Sequence, residues 1–293
     1  MMEILETINL ESWDQPVSSH LQEKALQSLE HGKVLYFPSL SFEIQSEEER
    51  FLSPLIVHPQ SKNISYDIRN DRLGGAQCTQ EEHNQLKALM QRYALKSRSF
   101  FEKLFPHYIE HVRQARTSFR PVETSGRTIS TRKDDTLLHV DSFPANPVKG
   151  QRILRIFSNV NPLGKPRVWR LGESFESVVE KMAPRVKEPW PMSSYLLKLF
   201  RLTKDYRTLY DHYMLQIHDA MKLDPDYQKQ VFQWEVHFPT GSTWIVYTDQ
   251  VSHAAMSGQH LFEQTFHLPI KAMYNQETTP QKVLEKYFKK ALV

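Results

Sequence analysis

Apolar residues recur at helical spacing near the start of the chain and at strand spacing through most of its second half. SSHLQEKALQSLEHGKVLYFPSL reads as an amphipathic helix ending near Gly32, followed by a short apolar strand, VLYF, stopped by Pro38. Residues 40–78 are less regular. A second helix starts at Thr79, because Thr79 and Glu82 have capping-box spacing and Leu86, Leu89, Met90 and Tyr93 then share one face. It is expected to run to Phe105, before the break at Pro106.

From about residue 112 the period shortens to that of strands. ARTSFRPV, RTISTRKDDTLLHVDSF, RILRIFSNVNP and RVWRLG read as consecutive strands. Helical spacing returns over 173–231, in ESFESVVEKM and in SSYLLKLFRLTKDYRTLYDHYMLQIHDAMKL, which is taken as one long helix ending before Asp224 and Pro225. Strands resume as FQWEVHFP, STWIVYTDQVSHAA and HLFEQTFHLPI. A last helix begins at Thr279-Pro280. There is no internal repeat or low-complexity linker. The expected fold is mainly β with flanking helices: one domain over 1–293, with support from about 1–110 and a jelly-roll core over about 111–275. A helical insertion over about 173–231 interrupts that core, and a terminal helix over about 278–292 follows it.

Composition adds exclusions. With 40% hydrophobic and 24% charged residues the 293-residue chain is an ordinary globular sequence, neither disordered nor collagen-like. Its one cysteine, Cys78, cannot make an internal disulfide, and the first residues lack the basic start and apolar block of a secretory signal, so a cytoplasmic setting is expected. No apolar run approaches the ~20 residues of a membrane-spanning helix, which leaves peripheral contact as the expected kind of membrane association. A net charge of +3 does not argue for a nucleic-acid partner.

The chemistry centres on LLHVDSF. If this stretch is extended, His139 and Asp141 project to the same face. One imidazole and one carboxylate, joined by a second histidine, make the 2-His-1-carboxylate face that holds iron(II) with coordination positions left open. The same pair also suits a buried histidine satisfied by a carboxylate, since a buried imidazole needs a polar partner. The third ligand is assigned to His253, in TGSTWIVYTDQVSHAAMSGQHLFEQTFHLP, where an apolar strand and a short loop precede it. His260 follows the Ser257-Gly258 turn and His267 lies farther along the closing strand; both are candidates for a supporting or substrate-facing role.

These residues resemble the pattern of the Fe(II)/2-oxoglutarate dioxygenases, His-x-Asp and a distal histidine. Longer stretches, LLHVDSFPANPVKGQRILRIFSNVNP, GKPRVWRLGESFE, YDHYMLQIHDAMKLDPDYQ and the His253 segment, resemble the Kdo hydroxylase family over most of residues 110–275. The resemblance implies a double-stranded β-helix core, Fe(II) held by His139, Asp141 and His253, and 2-oxoglutarate and O2 as co-substrates. It implies hydroxylation of 3-deoxy-D-manno-octulosonic acid (Kdo) at carbon 3 in a lipopolysaccharide precursor.

Many members of the wider superfamily carry a basic residue about ten positions after the distal histidine to clamp the co-substrate. Here the neighbourhood reads Phe262, Glu263, Gln264, Thr265. The clamp is therefore expected from another strand: Arg155 first, with Phe157 and Asn159 on its face, then Arg170, with Gln264 adding an amide. Arg132 and Lys133 are followed by Asp134 and Asp135, so local pairing is expected for them.

Residues 181–207 carry Lys181, Arg185, Lys187, Lys198, Arg201, Lys204 and Arg207 interleaved with Trp190, Tyr195, Leu196, Leu197, Leu199 and Phe200. Such a mixture suits an anionic membrane surface, and equally a helix with a solvated basic face. Two rivals stand beside the hydroxylase. One is a zinc peptidase using His107, Glu110 and His111, which match an inverted zinc-protease motif. The other is a non-catalytic jelly roll that binds acidic glycans. A related dioxygenase acting on another sugar acid or a small molecule is a third alternative.

Overall fold

Local capping signals set several of the element boundaries. In a computed structural model that describes residues 4–126 and 130–293, strand β1 (Leu5–Thr7) is followed by helix α1 (Ser19–Glu30), whose first turn is capped by the Ser18 hydroxyl accepting from Leu21 N–H. Strand β2 (Val34–Phe37) and the short strands β3 (Ile64–Asp67) and β4 (Arg72–Gly74) lead to helix α2 (Gln80–Leu104). There the Thr79–Glu82 capping box forms as expected. Strands β5 (Arg113–Arg120), β6 (Arg152–Asn159) and β7 (Arg167–Leu171) follow. Helices α3 (Phe175–Met182), α4 (Ser193–Leu199), α5 (Leu209–Leu223) and α6 (Pro225–Gln230) come next. The chain closes with β8 (Trp234–Phe238), β9 (Thr243–Tyr247), β10 (His253–Ser257), β11 (Leu261–Leu268) and helix α7 (Pro280–Phe288), which starts at the expected Thr279 cap.

Two sequence expectations change. The single long helix over 193–223 is broken into α4 and α5, because Arg201 adopts a left-handed backbone (φ 57°) and Thr208 with Asp211 builds a second capping box. The expected strand over 127–143 is not one: its first three residues lie outside the described residues, 131–133 form a 3-10 turn, and the rest touches the sheet through one isolated bridge at His139.

The strands make a large sheet in the order β1-β2-β9-β6-β11-β5-β3-β4 and a small one in the order β10-β7-β8. Pairing is antiparallel except between β1 and β2. The N-terminal region thus supplies four strands of the large sheet, among them the expected VLYF strand as β2. Alternation along β11 divides the large sheet's faces. Phe262 and Phe266 point to α2, where Tyr93 (ring centroids 4.8 Å) and Phe101 (4.7 Å) pack on them. On the inner face Phe157 stacks on Trp244 at 5.3 Å and meets Trp169 of the small sheet at 5.0 Å. A further core of α3, α5 and α7 lies behind the small sheet against Leu138, Val140 and Ala254. Each large apolar side chain buried in these layers contributes on the order of 2 kcal/mol, so the strands that carry the site are held from both sides.

Candidate metal centre

The segment 135–141 runs beside β10 without joining its ladder. Ala255 N–H donates to Asp135 O (2.7 Å), His139 and His253 exchange both backbone hydrogen bonds, and Asp141 N–H donates to Thr248 O (2.8 Å). The alternation expected of an extended stretch survives here: Leu138 and Val140 enter the core behind the small sheet, while His139 and Asp141 turn into a cavity of about 510 Å³. Close approach depends on Gly172, where a Cβ would stand 2.6 Å from Leu138 Cδ2 and 2.8 Å from Ser252 Oγ.

Within the cavity, one ligand atom each from His139, Asp141 and His253 lie within 4.8 Å of one another, and among the described residues this is the one group with metal-holding geometry. Both rings are oriented through Nδ1, which bonds Leu137 O at 2.7 Å for His139 and Val251 O at 2.8 Å for His253. With Nδ1 as donor, each ring offers the Nε2 lone pair. Trp169 stacks on His253 at 5.1 Å. Burial, reinforced by His253 and Lys222, holds the His139 pKa far below an ordinary imidazole, and burial lowers that of His253. Burial works against ionising Asp141, but the Arg155 guanidinium outweighs it and holds the carboxyl well below the usual range. Two neutral imidazoles and one carboxylate are the protonation states that a cation requires.

Further evidence of fit comes from atoms without partners. Asp141 Oδ2 lies 3.0 Å from Arg155 Nη2 yet makes no well-aligned hydrogen bond, and Arg155 Nε is likewise buried and unbonded. Arg155 also pairs with Glu263 (3.3 Å), Glu263 with Arg120 (2.6 Å), and Arg120 with Asp135 (3.7 Å). An alternating line of charges therefore crosses the cavity wall. Helix α5 adds Leu215, His218, Asp219 and Lys222 to the cavity lining, on one helical face.

The family model for 3-deoxy-D-manno-oct-2-ulosonic acid (Kdo) hydroxylase matches residues 12–291. This chain belongs to that family. The chain is similar to the crystal structure of the Kdo hydroxylase KdoO, a non-heme Fe(II) α-ketoglutarate dependent dioxygenase, in complex with α-ketoglutarate and Fe(III). Identity is 49%, covering 99% of this chain and 98% of that one, with a TM-score of 0.96. The apo structure of KdoO gives 50% identity, the same coverage and a TM-score of 0.97. No curated protein sequence matches. The likeness confirms the expected jelly-roll core.

For the family's co-substrate, the structure retains one of the four residues named from sequence. Arg155 lines the cavity, buried as expected and already paired with acids. Arg170 points away beside Glu235 (3.7 Å), since its neighbours Trp169 and Leu171 take the inward positions of β7. Asn159 bonds the carbonyls of Lys165 and Phe238, each at 3.0 Å, and serves a turn. Gln264 faces α2 and accepts from Thr117 Oγ1 at 2.6 Å. His260 and His267 are buried away from the cavity lining. Arg132 pairs with Asp219 of α5 (2.9 Å), not with its neighbouring acids.

Sequence reading passed over Arg120 and Glu263 as site residues, although each sits at an inward register position of its strand. It also missed the face of α5, whose 215/218/219/222 spacing was a readable signal. The zinc-protease motif is not assembled: residues 106–108 form a 3-10 turn, and His107 Nε2 is committed to Ala272 O at 3.0 Å.

Proposed function

We propose that the protein is an Fe(II)- and 2-oxoglutarate-dependent dioxygenase that hydroxylates Kdo at carbon 3 in a lipopolysaccharide precursor. The observation that carries this reading is the convergence of His139, Asp141 and His253 on one point of a cavity containing Arg155, in a chain 49% identical to KdoO along 99% of its length. An Fe(II) ion held by these three residues, with 2-oxoglutarate bound, supplies the oxygen chemistry that couples decarboxylation of the co-substrate to hydroxylation of a C–H bond.

The chain's own residues bind, aim and exclude. Arg155, with its unbonded Nε and its planar donor fork, is suited to the far carboxylate of 2-oxoglutarate, and Arg120 steadies it through the shared Glu263. Trp169, Phe157 and Leu261 keep that side of the cavity apolar and dry. From α5, Lys222 is only 3% exposed, and its Nζ has a carbonyl, Arg132 O, at 3.3 Å and Asp135 Oδ1 at 4.0 Å. A buried ammonium so loosely held suits the carboxylate of an acidic sugar. Two anionic molecules thus meet separate cationic poles, which orients the acceptor against the metal side.

A lipid-borne acceptor also supports peripheral contact with an anionic membrane. Among the described residues no helix is long and apolar enough to cross one. The deciding test is anaerobic Fe(II) and 2-oxoglutarate addition, expected to give the weak visible absorption of the chelate. It is followed by aerobic turnover on a Kdo acceptor, with mass spectrometry expected to find one added oxygen on the Kdo unit. An acceptor that stays unmodified, with the chelate formed and 2-oxoglutarate consumed, would move the reading to another sugar acid or small molecule.

A further inference from the structure

Soluble proteins bury large apolar side chains or scatter them singly, so a contiguous run of exposed ones marks a contact surface. Helix α4 and the residues on either side of it make such a run. Trp190 is 84% exposed, Phe200 68% and Leu202 62%, with Met192, Tyr195 and Leu199 also exposed between them. Left-handed backbone at Met192 (φ 61°) and Arg201 (φ 57°) brackets the helix and turns both flanks sharply, so that these side chains form a projecting ridge. Tyr195 stacks on Tyr206 at 6.4 Å, and Lys198 Nζ lies 3.8 Å from the Tyr206 ring centroid, giving the ridge an aromatic base with a cation on it.

Charge selects the occupant. Lys187, Arg201 and Lys204 surround the ridge as exposed residues, and acids nearby are few: Glu188 is occupied by Lys290, and Asp205 by Lys149 and Lys198. An apolar ridge with an uncompensated basic fringe matches the interface of an anionic bilayer, where aromatic and aliphatic side chains enter the headgroup layer and lysines meet the lipid phosphates. Position agrees with this. Lys204 N–H donates to Ala145 O at 2.9 Å and the Arg207 guanidinium to Pro144 O, and Pro144 lines the mouth of the cavity beside Phe143.

We propose that the ridge formed by residues 190–202, with its basic fringe, docks the protein on an anionic lipid bilayer beside the mouth of the His139/Asp141/His253 cavity. The proposal rests on reading the acceptor as lipid-borne, and it gives that reading a surface: the cavity mouth faces the headgroup layer, so that an anchored acidic sugar enters without leaving its membrane.

The test is flotation of the full-length protein with phosphatidylcholine vesicles, with and without phosphatidylglycerol. Binding is expected only where the anionic lipid is present, and is expected to weaken as salt rises. The triple variant Trp190→Ser, Leu199→Ser, Phe200→Ser and the charge variant Arg201→Glu, Lys204→Glu are each expected to lose binding by about tenfold or more. Both should keep the thermal midpoint and the turnover of a delipidated Kdo acceptor. Absence of vesicle binding by the wild-type protein while that soluble acceptor is hydroxylated overturns the surface and leaves the catalytic reading intact. Vesicle binding lost in the variants supports the surface even if no Kdo acceptor is turned over. Self-association that disappears in the triple variant, without vesicle binding, assigns the ridge to a second copy and overturns the proposal.

Discussion

His139 and His253 are locked to each other through their backbones: His139 N–H donates to His253 O at 3.0 Å and His253 N–H returns the bond to His139 O at 2.8 Å. The two rings stand with centroids 4.7 Å apart on this frame. Replacing a ring therefore leaves the backbone frame in place. His139→Ala, His253→Ala and Asp141→Ala are each expected to remain folded and to lose Fe(II) binding. The removed Lewis acid is worth several kcal/mol, so turnover should fall at least about a hundredfold. Anaerobic Fe(II) titration followed by the visible absorption of the 2-oxoglutarate chelate checks this; a variant that keeps wild-type absorption would remove its residue from the ligand set.

On the proposed reading Lys222 meets the acceptor and Arg155 the co-substrate, so a variant at Lys222 can tell the two apart. Lys222→Met keeps the bulk of the side chain and deletes a buried charge that has only weak protein partners. Folding stability should hold or rise slightly. KM for the Kdo acceptor is expected to rise by about tenfold, the value of one charge-assisted hydrogen bond, with KM for 2-oxoglutarate unchanged. Steady-state kinetics with each substrate varied in turn decides, and an effect confined to 2-oxoglutarate would place Lys222 at the wrong pole.

Gly172 is a spacing device. In Gly172→Ala the new methyl meets the buried Leu138 and Ser252 side chains, which flank the two metal-facing histidines in sequence. Overpacking there is expected to cost about 1–3 kcal/mol and to shift the His139 segment away from β10. Thermal unfolding should show the loss of stability, and Fe(II) affinity should fall with it.

His267 supplies an acid-sensitive element at a distance from the ligands. Burial, aided by Arg113 and Arg155, lowers its pKa from 6.5 to about 4, so the folded protein holds it neutral. Above pH 6.5 both folded and unfolded chains carry a neutral ring and pH has no leverage. As pH falls from 6.5 toward about 4 the unfolded chain takes up the proton first, so stability declines, by about 3 kcal/mol at most, and levels off below. Thermal midpoints of His267→Asn should be flatter than wild type across that window; parallel curves would mean that other groups carry the acid response.

The elements best read from sequence were those whose signals are local. Thr79 with Glu82, Thr279 with Pro280, and the alternation of RILRIFSN each lie within a few residues, and each produced the expected element. The His-x-Asp spacing was also legible, because Val140 is drawn to the core behind the small sheet and leaves its neighbours facing the cavity. What was not legible depends on partners distant in the chain. Arg155 and Arg170 look alike as arginines in apolar strands, and only the register of β6 between β11 and β9, and of β7 between β10 and β8, sends one inward and the other out. Gln264 is expected from sequence to add an amide to the co-substrate clamp, yet β11 alternates and turns it toward α2. The break between α4 and α5 escaped notice because apolar spacing continues across it, while a left-handed residue without glycine leaves no mark in a sequence.

The line of paired charges from Asp141 through Arg155, Glu263 and Arg120 to Asp135 has a consequence for how the pocket fills. A bare guanidinium in a dry pocket would attract any small anion in the cell. Here the guanidinium is charge-paired with Asp141 and Glu263 while its Nε stays without a hydrogen bond, so an arriving anion must compete with two protein carboxylates for the charge. If Arg155 takes the far carboxylate as proposed, co-substrate uptake would exchange salt partners and favour a molecule able to engage the metal and the arginine together.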